Sequence, residues 1–177
     1  VMTIALCICS QMVYSADTIK VSSELTVHDV DELLFIREEE KLARDVYLAF
    51  YEKWHLEIFN NISKSEQKHM DAILTLLDQY GIQDPVGDKD VGVFSNETLT
   101  TMYNELILWG MKSKVDAILV GVFIEEFDSI DLEHAIEHTL VDDIDRVYES
   151  LCQGSYNHLE SIIYVYERQT GDIFKQI

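Results

Sequence analysis

From Val27 to about Trp54 the apolar side chains return every three or four positions: Leu33, Ile36, Ala43, Val46, Tyr47, Phe50 and Trp54. That spacing places them on one face of a helix. A second segment, from about Leu56 to Tyr80, carries Phe59, Ile62, Ile73, Leu76 and Tyr80 on one stripe. The stretch YGIQDPVGDKD ends it, with Gly81 as a helix terminator and Pro85 beyond. A short amphipathic piece follows, NETLTTMYNELILWG, in which Asn96 is placed to cap the start and Gly110 closes the end. A third long segment, about Ser113 to His138, is apolar over more than half its circumference. A fourth, about Val141 to Arg168, keeps Ile144, Tyr148, Leu151, Ile162 and Tyr166 in step. Strand-like alternation and solenoid repeats are both missing from the pattern.

Four long amphipathic helices predict an all-α bundle over residues 28–168. The first and second helices, and the third and fourth, are joined by short links and should form antiparallel hairpins. The second-to-third link is long. At about 1.5 Å per residue the helices measure about 35–40 Å, so the link can run back along the bundle before the third helix begins. This predicts one long crossover carrying a short extra helix. Residues 17–27 read as a linker and 169–177 as a C-terminal tail.

Composition narrows the function classes. Acidic residues outnumber basic ones 33 to 13, for a formal charge of −20. Such a surface repels phosphate backbones and anionic membranes, so no nucleic-acid partner is expected. The first sixteen residues, VMTIALCICSQMVYSA, carry no charge. They read as a signal peptide, with Val13 and Ser15 before a cleavage point, and are too short for a span of about 20 residues. This predicts export to a periplasmic or extracytoplasmic location; without cleavage the chain would be cytoplasmic. Cys7 and Cys9 lie in that leader, which leaves Cys152 without an intrachain disulfide partner.

Against this background, ionisable residues fall on core stripes. Glu66 and His69 occupy the buried face of the second helix between Ile62 and Ile73. On the first helix Glu40 is in step with Ile36, Ala43 and Tyr47, and Glu39 with Phe35, Leu42 and Val46. Either could point inward, while the run from Glu38 to Glu40 also fits a solvated face. The third helix offers Glu125, with Glu126 beside it, and Asp128 one turn later. The fourth offers His158, in step with Leu151, Ser155 and Ile162. An unpaired buried carboxylate is costly, and a cation removes the cost. Oxygen ligands with imidazole suit iron or manganese. The predicted metal set is Glu40, Glu66, His69, Glu125, Asp128 and His158. Without metal the carboxylates should repel, so that removing Glu66 would be neutral or stabilising. Tyr47 and Tyr148 are expected near this set. His134 and His138, four apart on the third helix, read either as exposed and unrelated or as a surface metal pair.

These segments resemble the ferritin-like superfamily near its rubrerythrin branch. EKLARDVY, from Glu40 to Tyr47, resembles a first-helix motif with a ligand glutamate. SEQKHM resembles the second-helix Glu-x-x-His, and IEEFD the third-helix carboxylate pair. Together with GSYNHL they also resemble an uncharacterised prokaryotic family of that superfamily, classed as a domain of unknown function. The resemblance implies a ferritin-like four-helix bundle with two iron or manganese ions. It implies an oxidoreductase acting on peroxide, oxygen or ferrous iron, and homodimers are among the expected assemblies. One position departs from the pattern: Ser155 stands where members carry a glutamate one turn before the last histidine. Two metals with one fewer carboxylate, one metal or none are all open. The cysteine-ligated iron domain of rubrerythrins has no counterpart here, so an external electron donor is implied. A non-catalytic metal-binding or interaction module of the same fold is the alternative, and Ser155 favours it.

Overall fold

The computed structural model describes residues 25–175. The signal-peptide reading of residues 1–16 and most of the 17–27 linker therefore lie outside the described residues. Five helices make up the described chain: α1 (Val27–Trp54), α2 (Glu57–Tyr80), α3 (Glu97–Gly110), α4 (Lys114–His138) and α5 (Asp142–Thr170). None of them is long and apolar enough to cross a membrane.

Local chemistry sets the helix ends. Thr26 and Asp29 form a capping box at the start of α1, with the Asp29 amide donating to Thr26 Oγ1 (3.1 Å) and the Thr26 amide to Asp29 Oδ2 (2.8 Å). Asn96 and Ser113 cap α3 and α4 through their side chains. Gly81 ends α2 at φ 67°, a left-handed conformation that glycine adopts without penalty.

Cross-helix bonds fix the directions. Arg44 bonds Gln67 and Tyr51 bonds Glu57, so α1 and α2 are antiparallel. Asp29 bonds Thr139 just past the end of α4, while Tyr47 reaches Gly121 in its first half, so α1 and α4 are also antiparallel. It follows that α2 and α4 run parallel, which is the reason a long crossover exists. The all-α class, the four main helices and the short α3 in the crossover match the ferritin-like arrangement.

The crossover is strapped to the outer face of α1. The Arg37 guanidinium donates twice to Asp84 (3.1 and 3.0 Å), and Glu38 accepts from the Ser95 and Asn96 amides (2.5 and 2.9 Å). Lys41 donates to the Asp90 carbonyl (2.8 Å), and Asp45 accepts from the Gly92 amide (2.9 Å). Residues 36–43 are consequently buried without a break. Here the structure corrects the solvated reading of the glutamate run: Glu38 is a buried anchor for the start of α3.

The apolar core is divided in two. One cluster gathers Tyr47, Phe50, Phe59, Ile62, Ile118, Ile124 and Ile162. The other gathers Leu33, Ile36, Ile73, Leu77, Leu132, Ile144, Tyr148 and Leu151. On each of the four main helices the ligand-type residues lie between the two clusters in sequence, forming one polar layer across the middle of the bundle.

Candidate metal centre

Glu66 is the middle of this layer. Its Oε2 lies 2.8 Å from His69 Nδ1, and its Oε1 lies 2.9 Å from His158 Nδ1. Glu40 Oε2 closes the first side at 3.2 Å from His69 Nδ1, and Glu125 Oε2 closes the second at 3.3 Å from His158 Nδ1. The two imidazoles face each other with ring centroids 5.6 Å apart and planes inclined by 24°. Two clusters result, Glu40–Glu66–His69 and Glu66–Glu125–His158, each with its ligand-type atoms within 4.8 Å of one another. They share Glu66. This is a ferritin-like bundle with two buried Glu/Glu/His clusters consistent with a di-metal carboxylate site.

The choices left open by periodicity resolve in space. Glu40 joins a cluster, whereas Glu39 turns toward the α4 side, beside Asp128, Ala43 and Phe127. Glu125 joins the other cluster, and the half-buried Glu126 does not. Asp128 is buried beside both clusters without belonging to either. Its Oδ2 accepts a hydrogen bond from the Ser155 hydroxyl, so Ser155 orients a carboxylate on the neighbouring helix. Tyr47 donates to Glu125 Oε1 (2.5 Å) and holds it in place. Tyr148 is elsewhere: it packs in the second apolar cluster, near Glu32 and Asp29, away from the clusters it was expected to border.

The donor set fits metal. Glu40 Oε1, Glu66 Oε1, Asp128 Oδ1 and His158 Nδ1 are buried and have no hydrogen-bond partner. Atoms that approach to 2.9 Å without a directed proton between them leave lone pairs converging on common space. Four carboxylates with two neutral imidazoles carry four negative charges, which two divalent cations balance.

Protonation shows what stands in for a cation otherwise. Burial acts to lower both imidazoles, but the carboxylates override it. Glu40 and Glu66 push His69 up to about 11, and Glu125 and Glu66 push His158 up to about 10. Burial acts to raise Glu66, yet the two imidazoles hold it below the usual carboxylate range. Burial raises Glu40, Glu125 and Asp128, with repulsion from neighbouring carboxylates adding to it. With both imidazoles charged, Glu66 has two cations beside it as well as the neighbouring carboxylates, and its removal is then expected to destabilise the metal-free protein, the opposite of the expectation from repulsion alone.

Two residues escaped the sequence reading. A Cβ on Gly154 would lie 2.7 Å from His69 Nε2, so this glycine makes room for the ring. A glycine inside a helix costs about 1 kcal/mol relative to alanine, and that cost was the available signal. The other is Ser155, legible as a missing glutamate but not as a donor to Asp128.

Comparison with known proteins gives the following. Residues 29–177 match the family described as "Uncharacterized protein domain (DUF2202)". The chain is 49% identical over 139 residues to the uncharacterized protein MJ0754 of Methanocaldococcus jannaschii, covering 78% of this chain and 75% of that protein. The crystal structure of hypothetical protein MJ0754 from Methanococcus jannaschii matches with a TM-score of 0.83 at 45% identity, covering 86% of each chain. Neither name carries an activity.

Proposed function

The chain belongs to the uncharacterized domain family DUF2202, and from its buried carboxylate–imidazole layer we propose a di-metal carboxylate protein of the rubrerythrin type. Its ligands are Glu40, Glu66, His69, Glu125, Asp128 and His158. The observation that carries this reading is the sharing of Glu66, whose two oxygens each face a different imidazole at 2.8 and 2.9 Å. A carboxylate so placed would be shared by two ions, with Glu40 and His69 available to hold one and Glu125 and His158 the other.

A pair of iron or manganese ions supplies a redox couple for peroxide, oxygen or ferrous iron. The chain supplies position and surroundings. Tyr47 fixes the rotamer of Glu125. Ser155 occupies one oxygen of Asp128 and leaves Oδ1 for metal, so a carboxylate from α4 serves where α5 lacks one. The two apolar clusters keep bulk water from both ends of the layer. Electrons come from an external donor. A non-catalytic metal-binding module of the same fold is the second reading, favoured by the serine at position 155.

Elemental analysis of protein expressed with added iron or manganese tests the proposal. Wild type should hold two ions per chain more than Glu66→Ala, and Glu160→Ala, at an exposed position, should match wild type. A wild-type chain without metal, whose melting temperature ignores added Mn²⁺, would sink the reading. Anaerobically reduced protein that fails to turn over peroxide or oxygen, while holding two ions, would select the non-catalytic module.

A further inference from the structure

Three histidines lie together at the end of the bundle where α1 begins and α4 ends. The His134 and His138 rings are 4.2 Å apart, centroid to centroid. His28, from the first turn of α1, stands 6.3 Å from His134 and 5.7 Å from His138, at 89° to both. The Asp29–Thr139 hydrogen bond (2.8 Å) locks these two helix ends together beside them.

Helix electrostatics does not explain the trio. A cation suits the C-terminus of α4, which accounts for His138. The N-terminus of α1 disfavours one, yet His28 is there. The tautomer of His138 is fixed, because its Nδ1 faces the His134 carbonyl at 2.7 Å and a carbonyl only accepts. Its Nε2 lone pair is therefore free, the usual state of a ligating imidazole with a backbone partner. All three rings are exposed, and their centroids lie within 6.3 Å of one another.

Carboxylates lead inward from this point. Glu32 Oε1 lies 3.7 Å from His28 Nδ1. Asp131, one turn before His134, is partly buried and close enough to feel both Glu32 and His134. Next comes Glu39, 3% exposed, with neither carboxylate oxygen hydrogen-bonded. Glu39 lines the same cavity as Asp128, and Asp131, Glu40 and Glu32 are near enough to act on its charge. A buried carboxylate without partners between a surface imidazole cluster and a buried ligand set points to a cation as its missing partner.

We propose that His28, His134 and His138 form a second, surface site for a divalent transition-metal ion, which supplies the buried centre through Glu32, Asp131, Glu39 and Asp128 along the α1–α4 seam. The supply role rests on the di-metal reading above; the surface site does not. Transfer is ligand exchange, imidazole for carboxylate, and moves no electrons. Imidazole nitrogen with carboxylate oxygen selects ions such as Zn²⁺, Co²⁺ or Fe²⁺ over Mg²⁺ or Ca²⁺.

Co²⁺ titration followed by calorimetry and visible absorption tests it on the full chain. Glu66→Ala, with the buried centre disabled, should keep one Co²⁺ equivalent at the surface. Glu66→Ala/His134→Ala/His138→Ala should lose that equivalent and its absorption bands, with helicity unchanged. If the triple variant binds as Glu66→Ala does, or if Glu66→Ala binds none, the surface site is overturned. In an otherwise wild-type chain, His134→Ala/His138→Ala should load the buried centre to the same stoichiometry but about tenfold more slowly, the lower end of what a focusing entry adds to an on-rate. Equal loading rates overturn the supply role. A wild-type chain that binds at the surface but not in the interior overturns the di-metal reading and leaves the surface site standing.

Discussion

At the scale of single residues, the site depends on side chains that are not ligands. Gly154 is the sharpest case. Alanine there would place its methyl 2.7 Å from His69 Nε2, and the ring would have to turn. Turning moves Nδ1 away from Glu40 and Glu66, which it meets at 3.2 and 2.8 Å. Gly154→Ala should therefore fold, with helix propensity improved by about 1 kcal/mol. It should bind one ion instead of two, retaining the cluster built on His158. Elemental analysis and circular dichroism check this, and two retained ions would refute the space-making role. The ligand types themselves were legible in the sequence, because carboxylates and imidazoles at core positions of an amphipathic helix contradict its pattern. Their neighbours were less so. Whether Ser155 marks a lost carboxylate or serves a displaced one depends on Asp128, on another helix, which no local spacing encodes.

At the scale of elements, helix periodicity located all five helices, but it left the outward face of α1 unread beyond the solvated alternative for Glu38 to Glu40. Arg37, Glu38, Lys41 and Asp45 find their partners in the crossover, some 50 residues further on. A loop without periodicity gives no sign of where it will lie. The strap makes a measurable claim. Lys41 is fully buried, 2.5 Å from Asp45 and with its ammonium 4.6 Å from the centre of the Phe94 ring. Lys41→Met leaves Asp45 buried with only Arg44 and the Gly92 amide, which should cost about 3 kcal/mol. Lys41→Met/Asp45→Asn removes the stranded charge while keeping an acceptor for Gly92, so it should cost less than the sum of the single changes. Urea denaturation of the four proteins closes the cycle. Strict additivity would mean that the pair does not hold the crossover. The same topology, with α1 and α4 antiparallel, brings His28 to His134 and His138, an encounter that only the folded chain reveals.

At the scale of the whole molecule, protons and metal compete for one polar layer, and the pH dependence follows from the sign of each shift. His69 and His158 are raised from an ordinary value near 6.5 to about 11 and about 10. A group raised on folding stabilises fully below its unfolded value, and that contribution is lost as pH climbs through the folded one. Glu125 and Asp128, raised by burial first and by Glu66 as well, act in the same direction. The metal-free protein should therefore lose stability steadily as pH rises above about 6.5, where the imidazolium ions that neutralise Glu66 begin to cost more to keep. Metal needs the same groups deprotonated. Each proton it displaces steepens its apparent affinity by about tenfold per pH unit. The melting temperature with Mn²⁺ minus that without should consequently widen from pH 6 to pH 8, driven both by a falling metal-free value and by tighter binding. Calorimetry in two buffers of different ionisation enthalpy should register proton release on binding. Glu66→Ala should flatten the metal-dependent difference and lower the metal-free melting temperature at pH 6, where each imidazolium then keeps one carboxylate, Glu40 or Glu125, in place of two. A metal-free protein that gains stability across this range would show that the buried layer carries neutral imidazoles, and the proton-for-metal exchange would fall with it.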